Sequence, residues 1–118
     1  MIRELYPARE PLTREAYQRI LKSDSATLFL AGLGDIIAGT ATLVTYFKPS
    51  GMVGVIEDVV VGEAYRGQGV GSELTRAMIA EGTRRGAEVL DVNTRRDSAR
   101  LFYEQLGFKQ KGLTRDYY

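Results

Sequence analysis

The segment Arg66-Gly67-Gln68-Gly69-Val70-Gly71-Ser72 places glycine at every second position between a hydrophobic run and an amphipathic stretch. A glycine-rich turn from strand to helix gathers unhindered backbone N–H groups at the positive end of the helix, an arrangement suited to phosphates. Two well-known phosphate loops do not fit. The lysine-containing loop requires Gly-Lys-Ser/Thr, which is absent here, and the dinucleotide fingerprint requires a glycine where Ser72 stands. What remains is R-x-x-G-x-G, from Arg66 through Gly69 to Gly71.

The elements that must hold this loop follow from changes of hydrophobic period. Thr13 reads as an N-cap, with Leu12 placed to pack on Tyr17, and Ala16, Tyr17, Ile20 and Leu21 recur at helical spacing. Two strands are expected in "ATLFLAGLGDIIAGTATLVTYF" around Gly34-Asp35, and a third in "MVGVIEDVVV" after a Lys48-Pro49-Ser50-Gly51 turn. Beyond the loop, Val70, Leu74, Ala77, Met78 and Glu81 share a helix face that Gly86 ends. "AEVLDVNT" is the next strand. Asp97 or Ser98 caps a last helix with an apolar stripe of Ala99, Phe102, Tyr103 and Leu106, stopped at Gly107 and followed by a strand in "FKQKGL". An antiparallel meander followed by a β-α-β crossover predicts an α/β (α+β) mixed sheet with helices on both faces, in a single domain over residues 1–118.

Composition narrows the chemistry. The chain has no cysteine and no histidine, so disulfides, thiolate metal sites and the commonest general base are excluded, and no metal is expected. Sixteen Lys and Arg against fifteen Asp and Glu leave a formal charge of +1, which gives no global pull toward nucleic acid or an acidic membrane. Any anion site is therefore local. The first residues, "MIRELYPAREPLTREAY", show neither a secretory nor an organelle-targeting pattern, and a cytoplasmic location is expected.

At R-x-x-G-x-G the sequence resembles the GNAT superfamily of acetyl-CoA-dependent N-acetyltransferases. "DSARLFYEQLGFKQKG", Asp97 to Gly112, is similar to the C-terminal helix and strand of that family, and the resemblance covers roughly residues 54–112. It implies that backbone N–H groups of Arg66, Gly67, Gln68, Gly69, Val70, Gly71 and Ser72 grip the pyrophosphate of coenzyme A. It implies further that Val59, Val60 and Val61 bond the pantetheine arm through their backbone, with an amide near Val59 polarising the thioester carbonyl. Tyr103 matches the tyrosine that protonates the departing thiolate, a phenol of pKa near 10 serving a thiol near 8.5.

The base is open among Glu57, Asp58, a terminal group and relayed water. Glu57 is favoured, because regular alternation puts it on the same strand face as Val59 and turns Asp58 away. Where family members carry an asparagine this chain has Arg96, so Asn93 or Ser98 is the expected replacement for that contact with coenzyme A. One or two of Arg84, Arg85, Arg95, Arg96 and Arg100 are candidates for its 3′-phosphate or adenine. The resemblance also implies a seventh strand that the sequence does not supply, and a homodimer is expected. The implied reaction is acetyl transfer to the primary amine of a small molecule or peptide. The alternative is a degenerate module that binds coenzyme A without turnover.

Overall fold

A computed structural model describes residues 14–92 and 97–109. Helix α1 (Arg14–Lys22) precedes strands β1 (Ala26–Leu33), β2 (Ile36–Lys48) and β3 (Gly51–Val61). After a 3-10 turn (Glu63–Tyr65) come α2 (Val70–Arg84), β4 (Val89–Val92) and α3 (Asp97–Gln105). The sheet order is β1-β2-β3-β4, the first two pairings antiparallel and the last parallel. The meander and the β3-α2-β4 crossover are therefore as the sequence implies. Thr13, Leu12, Asn93, Arg95, Arg96 and the part of the expected last strand from Gln110 onward lie outside the described residues. Phe108 and Lys109, which were expected to begin that strand, carry no strand pairing.

The turns form where local chemistry demands them. Gly34 turns the first hairpin at φ 63°, a left-handed conformation that costs other residues about 1–2 kcal/mol. Both long-range stops are Schellman caps. At the end of α2 the Ala87 N–H donates to Gly82 O at 2.9 Å and the Gly86 N–H to Thr83 O at 3.0 Å, with Gly86 at φ 87°. The end of α3 repeats this pattern, Phe108 N–H donating to Tyr103 O and Gly107 N–H to Glu104 O, both at 3.0 Å, with Gly107 at φ 101°.

The core joins Ala38, Ala41 and Leu43 of β2, Ile56 of β3, Val70, Leu74 and Met78 of α2, Val92 of β4 and Tyr103 of α3. Burying each large apolar side chain contributes about 1.5–3 kcal/mol. One expectation fails here: Ala77 is exposed, and the buried face of α2 turns instead toward Thr75 and Gly82. Thr75 can enter the core because its hydroxyl donates to Gly71 O at 2.8 Å. Gly82 enters because its missing side chain leaves room for Leu90, whose Cδ1 would lie 3.4 Å from a Cβ there.

At its C-terminal end α2 is tied to the first strand. Arg85 Nε donates to Glu81 Oε2 at 2.7 Å, its Nη1 to Asp24 O at 3.1 Å and its Nη2 to Thr27 Oγ1 at 2.8 Å. Arg84 also bonds Glu81 through Nε, at 2.9 Å, but on the exposed side of the helix. Hydrogen bonds from these two guanidinium groups lower the Glu81 pKa to about 2. Replacing Arg85 with Ala is expected to cost about 1.5–3 kcal/mol, the range for hydrogen bonds to charged groups, and Arg84→Ala, on the exposed side, clearly less. Urea midpoints at pH 7 compare the two. Because the folded pKa of Glu81 is depressed, its contribution is full above the ordinary value of 4.5 and is lost as pH falls toward about 2. The stability gap between the parent and Glu81→Gln therefore closes over that window.

Candidate active site

The glycine loop ends at Gly69, which is the N-cap of α2 with φ 82° and ψ 9° and offers no side-chain cap. The first helical hydrogen bond runs from Glu73 N–H to Gly69 O at 3.0 Å. The N–H groups of Gly69, Val70, Gly71 and Ser72 precede it and have no acceptor within the helix, so they form the positive end of α2. Gly67 also has φ 80°. A Cβ built on Gly67 or Gly69 meets no heavy atom within 4 Å, so the space over both is open. This is a cradle that side chains would fill, and its donors fit a diphosphate. Arg66 reaches back to the end of β3, its Nε donating to Val61 O at 3.3 Å. Gln68 is exposed.

Gly71 differs from its two neighbours. Its φ is not positive, and a Cβ there would stand 3.5 Å from Phe102 Cζ and 3.8 Å from Val61 Cγ2. Its role is contact between elements rather than an unusual backbone.

Two further glycines, which sequence reasoning passed over, allow close packing on the sheet, one of them beneath the loop. A Cβ on Gly39 of β2 would come within 2.9 Å of Val70 Cγ1, 3.0 Å of Leu74 Cδ1 and 3.1 Å of Val60 O. A Cβ on Gly54 of β3 would lie 2.6 Å from Leu90 Cδ1. Gly39 thus brings the start of α2 down onto β2, and Gly54 leaves room for the Leu90 side chain over β3. The available signal was a glycine inside a strand pattern, which marks close backbone approach.

Strand β3 departs from regular alternation. Thr42 pairs with Glu57 but Thr40 pairs with Val60, so Asp58 and Val59 together oppose Ala41. This is a β-bulge, and Asp58 takes φ 50° within it. The extra residue reverses the faces of everything after it. Val61 pairs with Gly39 and Ile56 with Leu43, on the face that carries α2, whereas Glu57 and Val60 pair with Thr42 and Thr40 on the other face. The expectation that Glu57 shares a face with Val59 through simple alternation is therefore corrected. Glu57 and Asp58 are both exposed, but the Glu57 carboxyl is partly desolvated by its surroundings, and this together with the Asp58 charge raises its pKa above 4.5. Val59 and Val61 are half-buried against the core, and Val60 is buried. The β3–β4 register ends at Ile56↔Val92, so among the described residues Glu57–Val61 pair with β2 alone.

Tyr103 is 8% exposed and lies between two rings. Phe102 meets it edge-on at 5.0 Å and 74°, and Phe108 at 5.6 Å and 73°. The Phe108 contact is the hydrophobic half of the Schellman cap that ends α3. Burial raises the phenol pKa above 10, which keeps it protonated at neutral pH. Tyr103 also lines a cavity of about 610 Å³ beside β4, with Val89, Leu90, Arg100 and Phe108 among its walls, and the glycine loop contributes nothing to that lining. Ser98 falls within α3. Arg84 and Arg85 sit at the far end of α2, about 20 Å along a 15-residue helix from the cradle, and Arg100 lies 3.6 Å from Glu104, so the first two are removed from the anion site.

Comparison with known proteins identifies the family. Residues 1–108 match the family model of the Acetyltransferase (GNAT) family, and the chain belongs to that family. It is an acyltransferase of the GNAT class. It is 29% identical to N-alpha-acetyltransferase RimI of Mycobacterium tuberculosis (strain ATCC 25618 / H37Rv), covering 98% of this chain and 72% of the relative. It is 31% identical to glucosamine 6-phosphate N-acetyltransferase 1 of Oryza sativa subsp. japonica, covering 96% and 73%. A crystal structure of a transcriptional regulator from Bacillus halodurans C-125 superposes with a TM-score of 0.75 at 34% identity, covering 85% of this chain and 71% of that one. No helix among the described residues is long and apolar enough to cross a membrane.

Proposed function

We propose that the protein transfers acetyl from acetyl-CoA to a primary amine by direct attack in a ternary complex. The observation that carries this reading is the uncapped, unobstructed start of α2 in a chain of the GNAT family, with Tyr103 on the helix packed against it. Backbone N–H groups of residues 66–72 hold the diphosphate, and the backbone of Val59, Val60 and Val61 receives the pantetheine arm as an added strand. The amine lone pair attacks the thioester carbonyl, whose developing oxyanion is stabilised by an amide near Val59. The carbon–sulfur bond breaks, and the thiolate takes its proton from Tyr103. With no cysteine in the chain, a cysteine-bound acetyl intermediate is excluded.

Before the attack, Glu57 takes a proton from the acceptor ammonium, directly or through water, and so frees the lone pair. Only its ionised form accepts a proton, and its folded pKa is raised. Activity is therefore expected to fall at a higher pH than an ordinary carboxylate would dictate. Asp58→Asn, which keeps a side chain tolerant of the left-handed backbone, removes the neighbouring charge and should move that acid limb to lower pH. Glu57→Gln should lower kcat about tenfold at neutral pH and remove the limb. A pH–rate profile unchanged by both substitutions sinks the assignment.

The two curated relatives carry names that point to an N-alpha amine and to an amino sugar phosphate, so a peptide amine and a small amine both belong in the acceptor panel. Calorimetric titration of acetyl-CoA followed by thiol release with amino sugars, polyamines, aminoglycosides and peptides tests the reading. A second reading, a regulatory module that binds coenzyme A without turnover, draws on the similarity to the B. halodurans transcriptional regulator. Binding without thiol release across the panel would establish it. The proposal includes a cytoplasmic homodimer, supported by Leu33, Ile36 and Ile37 standing exposed and adjacent at the tip of the first hairpin.

A further inference from the structure

Phe102 touches both halves of the site. Its Cζ would lie 3.5 Å from a Cβ built on Gly71 in the first turn of α2, so the ring faces that turn directly, and it meets Tyr103 edge-on at 5.0 Å. Successive residues of a helix project about 100° apart, so one turn of α3 sends Phe102 toward the start of α2 and Tyr103 into the core cluster that includes Met78 and Val92. Phe108 also packs on Tyr103, but it reaches there through the C-cap of α3. Phe102 is thus the ring that links the phenol to the cradle.

We propose that Phe102 is a positioning residue, whose contact with Gly71 fixes the distance from the diphosphate cradle to the Tyr103 phenol. The inference rests on the roles given above to the cradle and to Tyr103. A nucleotide diphosphate thioester anchored at the first turn of α2 delivers its sulfur at a distance set by that anchor. The acid must lie within hydrogen-bond reach of the sulfur, and displacement by about 1 Å costs on the order of 100-fold in rate. The Phe102 ring between α2 and α3 holds both groups in one frame.

The contact is tested by a cycle of Gly71→Val and Phe102→Leu, with Phe108→Leu as the comparison. A Cβ built at residue 71 would point at Phe102 and Val61, so Gly71→Val loads that contact, while Phe102→Leu and Phe108→Leu leave the cradle untouched and should keep acetyl-CoA affinity within about threefold as kcat changes. Gly71→Val crowds the ring and Phe102→Leu withdraws it, and each alone should lower kcat about tenfold or more. Combined, the smaller side chain makes room for the valine, and kcat should recover well above the product of the two losses. Phe108→Leu should lower kcat without coupling to Gly71→Val. Purely additive losses, or a Phe102→Leu variant that loses thermal stability but keeps kcat, overturn the role of Phe102. If Tyr103→Phe itself leaves kcat unchanged, the acid role and this inference fall together. If Tyr103→Phe lowers kcat and the cycle is additive, only the inference falls.

Discussion

Gly69→Val is expected to weaken acetyl-CoA binding at least about 100-fold, while Gly71→Ala leaves it within a few-fold. Gly69 caps α2 at φ 82°, where any side chain incurs about 1–2 kcal/mol of strain and a β-branched one more. The substitution would pull the cap toward ordinary backbone geometry and turn the N–H groups of Val70, Gly71 and Ser72 out of convergence. It would also place methyl groups in the space over the helix end, where nothing now lies within 4 Å. A 100-fold loss corresponds to about 2.7 kcal/mol, which the loss of one or two charge-assisted hydrogen bonds supplies. Alanine at 71 has an ordinary φ and gains van der Waals contacts to Phe102 and Val61, so neither mechanism applies. Calorimetry on both variants, with melting curves to show that each is folded, decides the matter. Retained affinity in a folded Gly69→Val protein would mean that the diphosphate sits elsewhere.

This contrast shows which parts of the site could be read from residues. The need for glycine at 67 and 69 and the stops at Gly86 and Gly107 are local matters of backbone angle, visible in the chain as turn chemistry. Order and pairing of the strands followed from period-2 runs bounded by short turns. The Asp58 bulge was not visible, because an aspartate in a valine-rich strand carries no mark of a positive φ, and regular alternation then misassigned the face of Glu57. Gly39 and Gly54 matter through what approaches them from α2 and β4, which depends on tertiary packing. The bend of the buried stripe from Ala77 to Thr75 likewise depends on a hydroxyl finding Gly71 O, a bond that periodicity does not register.

The bulge also orders the chemistry along β3. With Asp58 and Val59 both opposite Ala41, Glu57 stands on the sheet face opposite α2, while the strand beyond the bulge turns Val61 toward α2 and the cradle. One irregular residue thus lets a single strand present a carboxylate to one side and, beyond the bulge, the backbone proposed to bind the donor to the other. Asp58→Gly, which accepts the same angle, should preserve the arrangement, in keeping with the relief glycine gives at positive φ.

Tyr103→Phe is expected to lower kcat about 100-fold while leaving the affinity for acetyl-CoA and the melting temperature nearly unchanged. General acid assistance contributes about 10²–10⁴-fold, and a thiol of pKa near 8.5 leaves comparatively well, so the lower end applies. Phenylalanine keeps the ring and its edge-on contacts with Phe102 and Phe108, so the loss to the core is within about 1 kcal/mol. Burial holds the phenol pKa above 10. The acid is therefore present throughout the neutral range, and its loss in the parent enzyme begins only above the ordinary phenol pKa, as rising pH removes the proton. Below that point the ratio of parent to variant kcat should be flat with pH, and above it the ratio should decline as the parent loses its own acid. A ratio near one at pH 7 would make Tyr103 a packing residue, held by two rings for the sake of the core.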